Sequence, residues 1–262
     1  MLKSLRVFER KVESPNDDKR CLLQQGAPGA EQIAPISSKR NSAFGGLLRR
    51  EYRWVLSLRA KLLLLVALVA LSLGTLLGVY PFLAITQRVD ADVLVVEGWV
   101  HPYAIRASVE EFENHSYQNV FTTGGPVIGK GGYINDYQTS ASVGADSLKK
   151  EGLPAELVQI VPSHFMGRDR TYSSATALWN WFREHDLPVR SINIVTEGAH
   201  ARRTRLLFEK ALGPKVTIGI IAVPNPDYDA KHWWRYSEGV EDVVTEVVAY
   251  VYARLFFWNT SD

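Results

Sequence analysis

His200 and Arg203 stand one helical turn apart in the stretch IVTEGAHARRTRLLFEKAL, residues 194–212. An imidazole can accept or release a proton near neutral pH. A guanidinium can grip a carboxylate or phosphate through two parallel hydrogen bonds. Together they suit acid/base work on an anionic molecule, with His200 as the acid/base and Arg203 as the clamp. Residues 192–195 read as an apolar strand, Thr196-Glu197-Gly198 ends it, and the helical pattern opens at once with His200, Arg202, Arg203 and Arg205. A helix start carries partial positive charge, which basic side chains oppose. Either water screens them or something negative sits there. At 3.6 residues per turn, His200, Arg203, Leu207 and Ala211 share one stripe. Leu207 and Ala211 should face a sheet, which puts His200 and Arg203 at the crown of the buried face. Arg202, Arg205 and Glu209 should point into solvent.

Two further loops have polar chemistry. TTGGPVIGKGG, residues 122–132, holds Gly124, Gly125 and Lys130 among five glycines. Such a loop can bring backbone N–H groups up to an oxyanion, although it matches neither a Walker A motif nor G-x-G-x-x-G. HFMGRDRT, residues 164–171, places Arg168, Asp169, Arg170 and Thr171 just before a helical pattern. Thr171 is the expected N-cap, and Asp169 is placed to pair with the arginines beside it. Asp227 and Asp229 form an Asp-x-Asp that a metal-dependent glycosyltransferase would use, but Asp90 and Asp92 repeat the pattern in a linker. No G-x-S-x-G elbow is present, which counts against an ordinary serine hydrolase. The single cysteine, Cys21, excludes an internal disulfide framework and a cysteine-rich metal site. The sequence names no cofactor. A net charge of +2 gives no ground for a nucleic-acid partner, and none is expected.

The elements that must position these residues alternate from Ala91 onward. DVLVVEG, NVFTTGG, LVQIVP, SINIVT and VTIGIIAVP read as five strands. Helical patterns fall between them over 103–115, 136–150, 171–185 and 200–212, and a last helix is expected over 232–257. Alternation of this kind predicts right-handed β-α-β units and a three-layer, Rossmann-like α/β fold with a parallel sheet. Ligands of such sheets bind beyond the carboxyl ends of the strands. That is where Thr196, His200, Arg203 and both polar loops fall.

Before this domain, residues 62–86 form an apolar run long enough to span a bilayer. Its upstream flank carries Arg49, Arg50, Arg53, Arg59 and Lys61. The positive-inside rule therefore predicts a cytoplasmic N-terminus and an extracytoplasmic domain over 90–262. Residues 1–48, rich in Ser, Pro, Gly, Gln and charge, read as a disordered tail, with 49–61 as a basic juxtamembrane segment. HWWRYSEG, residues 232–239, and the aromatic end YVYARLFFW, residues 250–258, read as parts of a core-packed last helix. Docking of a partner or contact with the bilayer is the alternative for both, and Glu246 and Arg254 argue against a second span.

ADVLVVEG, TTGG and IVTEGAHARRT resemble the YdcF/SanA/ElyC family of bacterial envelope proteins over about residues 91–212. The place of the family's His and later Arg is taken by His200 and Arg203. Thr171 and Ala175 fall on its Thr-x-x-Asn-Ala helix start, with Ser174 where Asn is usual and Ser173 where an acid is common. Glu97 and Trp99 interrupt its first glycine loop. The resemblance implies a Rossmann-like fold, one N-terminal anchor in the plasma membrane, and a periplasmic role in envelope integrity or peptidoglycan-related metabolism. The partners it implies are the membrane and an anionic metabolite or envelope precursor. The remaining readings are a small type II glycosyltransferase and a non-enzymatic scaffold.

Overall fold

The computed structural model describes residues 42–43, 48–50, 54–128, 134–164 and 169–257. Lys130, Arg168 and most of the expected tail lie outside the described residues. Where the end of that tail and the basic segment are described, they pair as three short antiparallel strands, β1 (Ser42–Ala43), β2 (Leu48–Arg50) and β3 (Trp54–Leu56). These strands belong to a unit of their own, residues 1–60.

The second unit holds one parallel sheet. Its strands are β4 (Val93–Glu97), β5 (Asn119–Gly124), β8 (Val158–Pro162), β9 (Ser191–Glu197) and β10 (Thr217–Val223). They lie in the order β10-β9-β4-β5-β8, every pair parallel. Counted along the chain this is third, second, first, fourth, fifth read from one edge, the doubly wound Rossmann-like order. The burial of β4 shows how it is covered on both faces. Val93 and Val95 join the cluster of Leu178, Phe182 and Phe208, while Leu94 and Val96 join that of Ile105, Val109 and Leu148. Helices α4 (Arg170–Glu184) and α5 (Ala201–Leu212) therefore cover one face. Helices α2 (Pro102–Asn114) and α3 (Ser140–Lys150) cover the other. The switch in strand order falls between β4 and β9.

Two helix limits differ from the sequence reading. The helix expected from Asp136 begins at Ser140, because β7 (Ile134–Thr139) turns back on β6 (Pro126–Ile128) as a small antiparallel ribbon. Thr139 then caps α3 through a capping box with Ser142. The expected last helix is broken near His232. Ala230–Arg235 form a 3-10 turn, and α6 runs over Ser237–Leu255. The β4–α2 turn lies so close to α3 that a Cβ on Gly98 would meet the Ser140 carbonyl at 2.1 Å, and one on Gly124 would meet Ser140 Cβ at 2.6 Å. Gly124 thus has a packing reason independent of any ligand.

Helix α1, Leu58–Leu83, is the one described helix long and apolar enough to cross a membrane. It starts and ends a few residues before the limits expected from composition. Along most of its length its apolar side chains are exposed. The last two turns differ: Leu83 is 0% exposed and Tyr80 8%, packed with Tyr228, Trp233 and Val243. Trp233 Nε1 donates to the Leu76 carbonyl at 3.1 Å. Beyond the helix, Gln87 bridges Ile220 on β10 through bonds of 2.7 and 2.9 Å. Val89 exchanges two hydrogen bonds with the buried Asn193 amide. The protein is a membrane-anchored α/β protein whose anchor ends inside its own domain.

Candidate functional site

The carboxyl ends of β4 and β9, at the switch point, form the floor of a crevice of about 780 Å³. His200 enters it from the 3-10 turn that joins β9 to α5. The negative partner of the basic helix start is internal. Glu246, on α6, accepts from Arg203 Nε at 2.8 Å and Arg203 Nη2 at 2.9 Å, and its Oε1 lies 2.8 Å from His200 Nδ1. A carboxylate from another helix thus offsets the charge that α5 could not itself compensate. Burial opposes ionisation of Glu246, yet hydrogen bonds from Arg203 and His200 outweigh it and hold the carboxyl down at about 2. Burial likewise works against the Arg203 charge, and Glu246 more than restores it.

Arg203 Nη2 also lies 2.9 Å from His200 Nδ1. One nitrogen cannot donate to Glu246 and accept from Arg203 together. Arg203 Nη2 already has Glu246 Oε1 as acceptor, so placing the imidazole hydrogen on Nδ1 leaves only the contact between Arg203 Nη2 and Nδ1 without an acceptor. Placing it on Nε2 would set the Nδ1 lone pair against a carboxylate oxygen. On this assignment from the hydrogen-bond network, Nε2 carries the lone pair. Nε2 is buried and has no hydrogen-bond partner. It lies 3.8 Å from Oε2 of Glu97, and the Trp99 ring meets the imidazole edge-on at 4.9 Å. A carboxylate-oriented imidazole that lines a crevice and keeps its second nitrogen without a partner is an arrangement suited to taking a proton.

Glu97 ends β4 and is 2% exposed. Thr196 donates to its Oε2, as does Thr204 at 3.1 Å. The sequence reading treats Glu97 as an interruption and Thr196 as a ligand contact. In the structure Thr196 is fully buried and serves Glu97, which itself lines the crevice.

The other expected residues divide. Gly124, Gly125, Asp169, Arg170 and Thr171 all line the crevice with His200 and Arg203. Thr171 is not the cap of α4. Asp169 holds that position, in the left-handed region at φ 65°, and no side chain caps the helix. No ion pair joins Asp169 to Arg170 among the described residues. Arg203 gives its Nε–Nη2 edge to Glu246, so it positions His200 and is not a free clamp. Arg202 and Arg205 are not simply solvated. Arg202 lies over the Phe82 ring at 4.0 Å and donates to the Phe82 carbonyl, tying α5 to the end of the anchor. Arg205 pairs with Glu209 at 2.8 Å and donates to Gln87. Asp229 of the Asp-x-Asp accepts from the Lys231 backbone and sits 2.6 Å from His232, outside the crevice lining. No cluster able to hold a metal is found among the described residues.

Sequence reasoning missed the acidic wall. Glu197, Glu241, Asp242 and Glu246 line one side of the crevice. Glu197 is answered by His101 at 2.9 Å. Burial pushes the Asp242 carboxyl up, and its neighbours Glu197 and Glu241 add to the rise. The one available signal was the position of Glu246 within VVTEVVAY: an acid in an apolar helical stretch needs a partner.

The crevice therefore has two poles. The acids of α6 and β9 form one. The other is the uncapped start of α4, with Arg170, Thr171 and Ser174, facing Gly124 and Gly125. Comparison with models of known protein families finds no match for this chain, and comparison with curated proteins finds no significant relative.

Proposed function

We propose that this is a YdcF/SanA/ElyC-like envelope protein, acting in peptidoglycan or surface-polysaccharide biogenesis or in barrier integrity, with its α/β domain outside the cytoplasm. The supports are the sequence resemblance, the basic flank ahead of α1, and a Rossmann-like domain carried on an anchor. The crevice binds a hydroxyl-rich molecule bearing one phosphate or carboxylate. Its anionic group goes to the α4 pole, where Arg170 and the helix start favour negative charge. Its hydroxyls go to the acidic wall, whose carboxylates accept hydrogen bonds. His200 acts on it as acid or base.

One observation carries this reading: His200 lines the crevice, and its Nε2 is buried without a hydrogen-bond partner. Most buried side-chain polar atoms have a hydrogen-bond partner. Arg170 replaces Arg203 as the anion contact, because Arg203 is engaged by Glu246.

Calorimetry on the full chain in nanodiscs tests it, with glucose 1-phosphate, glucose and inorganic phosphate as probes. The sugar phosphate is expected to bind more tightly than either part. Arg170→Ala should weaken it by about 1.5–3 kcal/mol, the range for a charge-assisted hydrogen bond, and Arg205→Ala should leave it unchanged. Equal binding by the Arg170→Ala and parent chains would refute the anionic pole.

A further inference from the structure

The anchor is too short to clear the membrane before the domain takes hold of it. Trp233 bonds to the carbonyl of Leu76, and Leu76 and Val79 pack in the same cluster as Trp233 and Val243. From Leu62 to Leu76 the helix rises roughly 21 Å at 1.5 Å per residue. The hydrocarbon of a bilayer is about 30 Å thick. With Lys61 held at one interface, the far edge of the hydrocarbon falls near Phe82, more than a turn beyond Leu76. The protein gripping the last turns of α1 must then sit within the far interfacial layer. Tilt of α1 would deepen this overlap, and local thinning would only reduce it.

Helix α6 is part of that grip. Val243, Val247 and Tyr250 pack in the anchor cluster, and the Tyr250 ring meets Phe82 edge-on at 5.5 Å. Round the helix from this face comes a stripe of Val240, Val244, Val248, Val251 and Leu255, all exposed and unbroken by charge. These positions span an arc of about 80° at 3.6 residues per turn. The next face round, with Glu241, Thr245 and Ala249, lines the crevice. A run of exposed valines this long is a liability in water. Here it adjoins a helix whose remaining length must lie in lipid, and Trp234, Tyr236 and Tyr252 flank it with the amphipathic rings that settle at headgroup depth.

We propose that the valine stripe of α6 lies in the interfacial layer of the bilayer, so that the crevice opens at the membrane surface. Lipid, not a second copy of the chain, covers the stripe, because the grip on Leu76 fixes its height. The inference rests on the anchor alone and holds whatever the crevice binds.

The test uses the full chain in phosphatidylcholine–phosphatidylglycerol vesicles. Cys21, the single cysteine, is replaced by Ser, and bimane is attached in turn to Val248→Cys, to Val69→Cys within α1 and to Glu184→Cys at the far end of α4. Lipids with a nitroxide high on the acyl chain serve as quencher. Val248 is expected to lose about half or more of its emission, as is Val69, with Glu184 nearly unaffected. Emission at Val248 matching that at Glu184 would overturn the proposal. So would shielding of Val248 that disappears when lipid is added in excess, since a second copy would then be the cover. Absence of quenching at Val69 would overturn the premise that α1 inserts.

Discussion

Glu246→Ala should be the most damaging single change near the crevice, lowering stability by about 3–5 kcal/mol. That is the usual result of removing one partner of a buried ion pair and leaving the other uncompensated. Arg203, largely buried against α6, would keep its charge without its hydrogen-bonded carboxylate, and His200 would lose the acceptor that orients it. For a domain near 200 residues this corresponds to a melting point roughly 10 °C lower, measured by circular dichroism on the full chain in detergent. The same carboxyl predicts an acid limb. Its folded value of about 2 lies below the ordinary 4.5, so its stabilisation is fully present above the unfolded value and is lost as pH falls toward the folded one. That difference corresponds to on the order of 3 kcal/mol by linkage. The parent chain should therefore weaken between about pH 4.5 and 2, and Glu246→Gln should lack this component of the decline. A Glu246→Ala chain as stable as Glu184→Ala, an exposed site on α4, would show that the pair stabilises nothing.

The second large effect concerns the boundary between anchor and domain. A chain beginning at Asp90 should be less stable than one beginning at Leu76 by on the order of 5 kcal/mol. The shorter chain lacks Leu83 and Tyr80, two buried side chains worth about 2 kcal/mol each. It also loses the Gln87–Ile220 bridge, the Val89–Asn193 bonds and the fork of Arg88 on Glu111 at 2.8 Å, each worth about 1 kcal/mol. Trp233 and Val243 would face water. Urea unfolding of the two chains measures the difference, and equal midpoints with equal slopes would mean that the anchor only rests on the domain.

The contrast between these two regions explains what could be read from the sequence. The five strands were legible because each is a short apolar run closed by glycine, proline or a polar break, and their alternation with helices dictates a parallel sheet. Knowing that ligands gather at carboxyl ends placed His200, Arg203, Thr171 and Gly124 on one rim. The basic start of α5 posed a sound physical question, but its answer lay 43 residues beyond Arg203, on a helix whose docking no local pattern encodes. Glu97 and Thr196 were inverted for a related reason: a strand-end position tells that a side chain nears the crevice, not whether it points in or behind. The anchor boundary failed differently. An apolar residue reads alike whether lipid or protein covers it, so Tyr80 and Leu83 merged with the span.

On the geometry described, Glu246 holds the His200 hydrogen on Nδ1 and leaves the buried, unpartnered Nε2 with the lone pair. Both the 2.8 Å contact to Glu246 and the 2.9 Å contact to Arg203 meet at that one nitrogen, so the position of the hydrogen is the deciding fact. Long-range nitrogen-15 correlation of the His200 ring, assigned by comparison with His200→Gln and recorded where the imidazole is neutral, reads it directly. A protonated Nδ1 and a bare Nε2 are expected, with the pattern lost in Glu246→Gln. A hydrogen on Nε2, with Nδ1 accepting from Arg203, would contradict it.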